Sequence, residues 1–476
     1  VEGAVEGGAR LMARWVEMPI FSPVYENVAE TALRNGNARL ENAFITEAKT
    51  HSRFPGLKTW LRMPSPGKVY LFDWRGDLIA VTSFGLVYRI GSDKTANNVT
   101  LTPVSGGRRV TAARTQDEIL FAAGGPIVRL IGAKTELLSK DAPIATHVGY
   151  VDGYVLANEA GSGRFQYTDA GVYTSWDPLN VFTAESKDDP LTALVVTPFN
   201  ETILAGPSSI EQWERNPDGT APFFRRWTAG EGVYSPYTLA FAENALYGVT
   251  SLREFSRISG QLAQPVSTPM QNRMEKIDDW TEAFSLVANF RGNRFIILQI
   301  PHATTVYDTK GVTLLYDYRQ QRWSSLFGWD EDRSQPGRWP GWSMASAWGR
   351  DYVGGDGVIY EVDDETYAQD GGITQMVGRT GHLDFKGHTR IDDMRIRIER
   401  GRAPDENTFL QLRINRDQRG FTSWLSRPLG ISGDRVAYLH TGPLGMGRTF
   451  QVEYRVTQPM PIEITSMELL ITGLGH

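Results

Sequence analysis

The sequence contains no cysteine in 476 residues, which excludes thiolate catalysis, cysteine-rich zinc sites and any disulfide framework. A cysteine-free chain fits assembly in a reducing cytoplasm. Basic excess is missing too: 49 Lys and Arg stand against 55 Asp and Glu, for a net charge of −6. Proteins that grip nucleic acid carry surplus positive charge, so any contact with DNA is expected to be loose or confined to a local patch. No apolar run approaches the roughly 18 residues that mark a membrane span, and no membrane insertion is expected. Near the start, Arg14, Glu17 and Pro19 interrupt the apolar stretches, so no secretory signal is expected either.

What is present points to sheet. Aromatic residues make up 11%, with 13 Trp, beside 48 Gly, a pairing that suits many short strands joined by tight turns. The chain is long enough to bury a large core without a metal or disulfide staple. It is also long for one ordinary domain, although repeat-built propellers reach this size as a single body.

A repeat supports that reading. Short segments rich in β-branched and aromatic residues recur in groups of three, the first at 68–72, 77–82 and 86–90. The next groups fall at 110–114, 118–122 and 127–131, and at 145–148, 153–157 and 164–167. Others follow at 191–196, 202–205 and 210–213, and at 237–241, 245–249 and 253–258. A longer copy holds 284–288, 294–300 and 305–307, with 314–318 as a fourth strand, and a degenerate seventh ends in 352–355 and 358–362. The third segments lie about 40 to 50 residues apart, the period of propeller blades. One small antiparallel sheet cannot bury both faces, whereas blades stacked round an axis cover one another. The expected fold is therefore all-β, a β-propeller of six or seven blades; chance spacing in a generic all-β chain is the plainer alternative.

Two regions stand outside the repeat. Residues 1–55 have no sustained period, a Gly-rich start and a turn at Asn35-Gly36, and are expected to form an N-terminal extended arm that orders against a partner. The propeller is assigned to 56–375. From 376 to 476 the texture changes: Met394, Ile396 and Ile398 alternate with Arg395, Arg397 and Glu399, and further strands are expected at 409–414, 449–456, 462–465 and 469–471. A C-terminal antiparallel β-sandwich packed on the propeller is expected.

Each candidate site competes with a plainer role. The seven histidines, His51, His147, His302, His382, His388, His440 and His476, have no close metal-ligand spacing; His382 and His388 could share a strand face, with Gly387 between them. The carboxylate runs Asp363-Asp-Glu365 and Asp330-Glu-Asp332 do not match a calcium loop and read as solvated turns. Asp169-Ala-Gly171 with Trp176 faintly resembles the Asp-box turn of sialidase-like propellers, with the Trp displaced. Glycosidases need two facing carboxylates, and the sequence selects no pair. The Gly442–Gly447 stretch lies between strands, with no helix to offer a phosphate, and reads as a turn. The stripe Arg395, Arg397, Arg400 and Arg402 reads as a solvated strand face that could meet an acidic neighbour or DNA. Gly-x-Ser-x-Gly is absent. No catalytic, cofactor-binding or metal-ligating residue is assigned, and no cofactor is expected.

Several stretches carry a resemblance: Arg53-Phe-Pro-Gly-Leu-Lys58, Gly163-Arg-Phe-Gln-Tyr-Thr-Asp169, Trp176-Asp-Pro-Leu-Asn-Val-Phe-Thr-Ala-Glu185 followed by Asp189-Pro190, and Ser209-Ile-Glu-Gln-Trp213. A late strand ending in Tyr-Asp, either Thr305–Asp308 or Leu314–Asp317, leads to Trp323. In this order they resemble the packaged-DNA stabilisation proteins, also called tail nozzle or hub proteins, of short-tailed bacteriophages. The likeness runs from about residue 50 to the C-terminus and is strongest at 150–330; the first 20 residues and the Trp-rich insertion from Trp329 to Trp348 match poorly. The resemblance implies a non-enzymatic virion protein of the phage tail, assembled in the host bacterial cytoplasm. It implies a homohexameric ring, or nozzle, below the portal and adaptor (head-to-tail connector) proteins. That ring prolongs the DNA channel for ejection, retains packaged genome and holds the tail needle, plug, or fibre and spike proteins. DNA is then a passing client, and a mildly acidic wall lets a polyanion slide. The alternative is a glycan-binding or glycan-hydrolysing propeller of the sialidase-like type. A host scaffold propeller that binds peptides has architecture alone behind it.

Overall fold

The structure is a computed structural model that describes residues 13–18, 38–184, 186–219, 221–363, 365–370, 372–400, 408–429 and 436–473. The described chain is built from strands, with one α-helix of five residues, Gln271–Glu275. Among the described residues no helix is long and apolar enough to cross a membrane. Among the described residues there are six separate four-stranded sheets, and a further run of four strands lies within a 15-stranded sheet.

In chain order, sheet I holds Val69–Trp74, Asp77–Thr82, Val87–Ile90 and Ala96–Asn98. Sheet II holds Thr111–Arg114, Glu118–Ala122, Val128–Ile131 and Lys134–Leu137. Sheet III holds Val148–Val151, Tyr154–Asn158, Arg164–Tyr167 and Val181–Thr183. Sheet IV holds Ala193–Val196, Thr202–Ala205, Ile210–Arg215 and Phe223–Ala229. Sheet V holds Ala240–Ala242, Ala245–Val249, Phe255–Ser259 and Leu262–Pro265. Sheet VI, the run inside the large sheet, holds Phe284–Phe290, Asn293–Thr304, Lys310–Asp317 and Arg322–Ser325. Sheet VII holds Ser343–Ala347, Arg350–Gly354 and Val358–Asp363, and takes its fourth strand, Gly56–Arg62, from the other end of the chain.

Local chemistry sets these hairpins. The first two strands of sheet I turn at Arg75-Gly76 and those of sheet III at Asp152-Gly153, and both residues of each pair have positive φ. That is the two-residue turn whose twist matches paired strands, and glycine enters it without steric cost. Glu243-Asn244, Arg291-Gly292 and Trp348-Gly349 do the same in sheets V, VI and VII.

Packing is face to face in succession. One apolar cluster joins sheets I and II through Val81, Ile119 and Phe121, and another joins II and III through Leu120, Val155 and Trp176. Phe165 and Trp213 join III to IV, Ile203 and Leu246 join IV to V, and Phe255 and Trp323 join V to VI. Phe295 and Val353 join VI to VII, and Trp60, Leu71 and Tyr352 join VII back to I. Each sheet thus buries both faces against its neighbours, and truncating a ring such as Phe121, which is fully buried, is expected to cost about 3–5 kcal/mol.

Some segments differ from the sequence reading. Thr305–Tyr307 is no strand: Thr305 and Thr309 close a turn, and the third and fourth strands of sheet VI are Lys310–Asp317 and Arg322–Ser325. Residues 236–238 form a 3-10 turn ahead of a short first strand in sheet V, because Pro236 fixes a turn geometry there.

After Met376–Arg379 the chain forms Leu383–Arg400, Phe409–Arg416, Leu425–Pro428, Val436–His440, Gly445–Val456 and Ile462–Gly473. Alternate residues of the long strands, among them Met394, Ile396, Ile398, Leu412, Val452 and Leu469, meet in one apolar core. Residues 38–53 belong to this core and not to an arm awaiting a partner. Leu40, Ala43 and Ile45 are buried in it. Arg39–Glu41 bridges Met376–Arg379 to sheet VI, and His51 pairs with Ile464. Arg14–Glu17 lies along Ile462–Gly473. The turn expected at Asn35-Gly36 and the Gly-rich start lie outside the described residues.

Candidate functional site

Where the first strands of the sheets converge, two cavities lie end to end. One, of about 500 Å³, is walled by the first strands of sheets II, III and IV. The other, of about 510 Å³, is walled by the linkers that lead into first strands, including Lys68, Arg108, Asp278, Glu282 and Trp342. Arg109, Pro236 and Tyr237 line both cavities and form a partition between them.

The partition is held by aromatic faces. The Arg109 guanidinium lies 3.9 Å over the Phe284 ring and 5.3 Å from that of Tyr70, and its Nη2 donates to the Trp342 carbonyl at 2.7 Å. Burial lowers its pKa to about 10, since desolvation disfavours charge. Tyr237 stacks on His147 at 5.0 Å and 18°. Burial pushes the Tyr237 phenol up to about 12 and the His147 imidazole down to about 4.

The carboxylates of the second cavity are all held ionised. Thr304, through its N–H and hydroxyl, holds Asp278 well below the usual range, and Thr281 lowers Asp279. Burial works against ionisation of Glu282, but hydrogen bonds from Lys68 and His302 outweigh it and the pKa falls. Glycoside hydrolysis needs a carboxylic acid with a raised pKa beside a carboxylate. None of these three supplies one.

The residues singled out in the sequence fall into structural roles. His51 is buried and bonds the Tyr454 hydroxyl at 2.7 Å, while His440 pairs with Asp393 at 2.7 Å. His388 lies in the strand Leu383–Arg400 and His382 just precedes it, so the two do not share a strand. His476 lies outside the described residues, among which no group of three or more His, Cys, Asp or Glu could hold a metal. Asp363 accepts from the Glu365 N–H and the Thr366 hydroxyl, and Asp330 from the Arg333 N–H: both fasten turns. Asp169 accepts from Ser175 and Asn180, closing the loop that sinks Trp176 between sheets II and III. Of the expected turn Gly442–Gly447 only residues 442–444 link two strands, with the Gly442 N–H donating to Asp393; Gly445 to Gly447 open the strand Gly445–Val456 and pair with Leu383–Arg400. In the arginine stripe, Arg395 pairs with Glu468 and lies 4.3 Å over Trp15, while Arg397 is exposed; Arg402 and the Arg400 side chain lie outside the described residues. Sequence reasoning missed Arg109, Tyr237 and Phe284, which no motif or spacing marks.

The model of the bacteriophage P22 Gp10 β-propeller family matches residues 75–367, more than half of the chain. The chain belongs to this family. No curated protein matches the sequence. Among solved structures, BamB from Moraxella catarrhalis is similar at a TM-score of 0.38 and 9% identity, over 64% of this chain and 97% of that one. An exo-β-1,3-galactanase from Phanerochaete chrysosporium is similar at 0.29 and 7%, over 79% and 98%.

Within the stretch matched by the P22 Gp10 family, the motifs around Phe165, Phe182, Asp189 and Trp213 meet at the seam of sheets III and IV, while Trp176 lies between sheets II and III. Glu211, fully buried, accepts from the Trp213 indole at 2.8 Å, the Ser186 N–H at 3.1 Å and Arg225 at 3.2 Å. Asp189 accepts from the Ser208 N–H at 2.6 Å, and Trp213 packs edge-on against Phe165. These motif residues lock two sheets together; none of them faces the cavities just described. The late Tyr-Asp strand is Leu314–Asp317: Tyr316 packs on Trp323 at 4.7 Å, while Asp317 caps the turn at Arg319 and Gln320.

Proposed function

We propose that the seven four-stranded sheets are the blades of one closed propeller, with Gly56–Arg62 as the clasp. In this reading the C-terminal strands form a sandwich docked on the sixth blade. The protein is then a structural, non-enzymatic virion protein of a short-tailed phage tail, built in the host bacterial cytoplasm. Copies form a homohexameric ring below the portal and adaptor, which extends the DNA channel, retains packaged genome and receives the tail needle, plug or fibre proteins.

The observation that carries the reading is the family match across 75–367. In this reading the side chains gathered at Arg109 and Tyr237 occupy the middle of the propeller, and DNA takes a path between subunits. The net charge of −6 suits a conduit whose wall does not hold phosphate. Asp278, Asp279 and Glu282 all have lowered pKa values, so none of the three is suited to the general-acid step of glycoside hydrolysis.

Negative-stain imaging of the purified protein, alone and with portal and adaptor, tests the proposal. Six-fold rings with a central hole wide enough for duplex DNA are expected. A protein that stays monomeric under both conditions would refute it.

A further inference from the structure

The cavity that faces the linkers carries an excess of positive charge: Glu282 pairs with Lys68 and Asp278 with Lys310, which leaves Asp279 against Arg108, Arg109 and Arg253. Its carboxylates are engaged, by Thr304, Thr281, Lys68 and His302. Two of its cations are not. The exposed side chains of Arg108 and Arg253 form no hydrogen bond or ion pair with a described residue, and Arg109 has only a carbonyl partner. Most aromatic rings of the cavity are already covered. Lys68 and Arg338 lie over Trp342 at 4.4 and 4.1 Å, Arg109 lies over Phe284, and His147 stacks on Tyr237. Arg253 lies 5.0 Å over Tyr234, which meets Trp280 edge-on at 5.8 Å.

This distribution selects a ligand class. A sugar ring binds on an open aromatic face, and apart from Tyr234, which is 42% exposed, these rings are covered. What remains is guanidinium N–H, whose planar fork matches a carboxylate in two parallel bonds. We propose that this cavity is a socket for an acidic peptide segment, with Arg108 and Arg253 gripping its carboxylates. A space of about 510 Å³ admits a few side chains and not a folded domain, so the partner inserts a tail or loop. The inference rests on the tail-protein reading only for the protein that brings the peptide.

The test is fluorescence anisotropy of the full chain with a fluorescein-labelled pentapeptide of alternating glutamate and glycine at low salt. Saturable binding is expected, weakened about tenfold by Arg253→Gln and about a hundredfold by Arg108→Gln with Arg253→Gln, as for loss of one and two charge-assisted bonds. Both side chains are exposed, so the variants should melt as the parent does. Absence of binding overturns the socket, as does equal binding of a glutamine-glycine pentapeptide or full affinity in the double variant. Tighter binding of a glucuronate oligosaccharide or a thymidine oligonucleotide at the same arginines overturns it too. A ring that binds no peptide sinks the socket alone; a monomer that binds it sinks the ring alone.

Discussion

His147 makes stability depend on pH in a way that can be isolated. The ring is 4% exposed, stacks on Tyr237 and meets the Thr146 hydroxyl at 3.0 Å. Burial holds its folded pKa at about 4, against 6.5 for the free side chain. Between these values the unfolded chain binds a proton that the folded chain refuses, so stability rises with pH across this window and is lost as pH falls through it. The full span is worth ~3 kcal/mol, and at pH 5 the loss relative to pH 8 is about 2 kcal/mol. Replacing His147 by Gln keeps a hydrogen-bonding group and removes the titration. Urea unfolding of parent and His147→Gln at pH 8 and pH 5 reads the effect, with every other titrating group common to both proteins. The variant is expected to be weaker at pH 8, through the lost stack, yet to lose about 2 kcal/mol less than the parent on acidification. Equal losses would refute the reasoning, as would an NMR titration that places the folded imidazole near 6.5.

Other perturbations probe how the parts are tied. Arg53, fully buried, donates to the carbonyls of Met460 and Thr374 and so joins the chain start to the C-terminal strands. Arg53→Met should cost about 3 kcal/mol, read as a lower denaturation midpoint. A Cβ on Gly378 would stand 2.2 Å from the Tyr454 ring; Gly378→Ala should lose about 1–3 kcal/mol to overpacking, with the Tyr454–His51 bond disturbed in a crystal structure. Removing the carboxylate in Glu211→Ala leaves the Trp213 indole N–H without its acceptor, for a loss of about 2 kcal/mol and a shift in tryptophan emission. Deleting residues 56–62 should expose the edge strand Val358–Asp363, seen as fast amide exchange there while sheets II to IV stay protected.

Local chemistry made much of this fold legible. Arg75-Gly76 and Asp152-Gly153 announce their hairpins, and the second strands, such as Glu118–Ala122 and Thr202–Ala205, are buried on both faces and read as continuous apolar runs. The strict alternation at Met394, Ile396 and Ile398 placed that face in a core for the same reason. The outer strands gave no such signal. Ala96–Asn98 and Leu262–Pro265 are largely exposed, so nothing required them to be apolar, and only pairing to a neighbour makes them strands.

The pattern of side chains along the chain determines that this protein is built from small antiparallel sheets, because turn conformation and alternate burial are properties of a few adjacent residues. The tertiary structure alone decided that Gly56–Arg62 completes a sheet begun almost three hundred residues later, and that residues 38–53 fasten the C-terminal strands. It also decided that Tyr70, Arg109, His147, Tyr237, Phe284 and Trp342 meet at one partition. Each of those six comes from a different turn of the chain, and a contact of that kind leaves no trace in sequence spacing: it exists only once the sheets have packed in a circle and brought their first strands together.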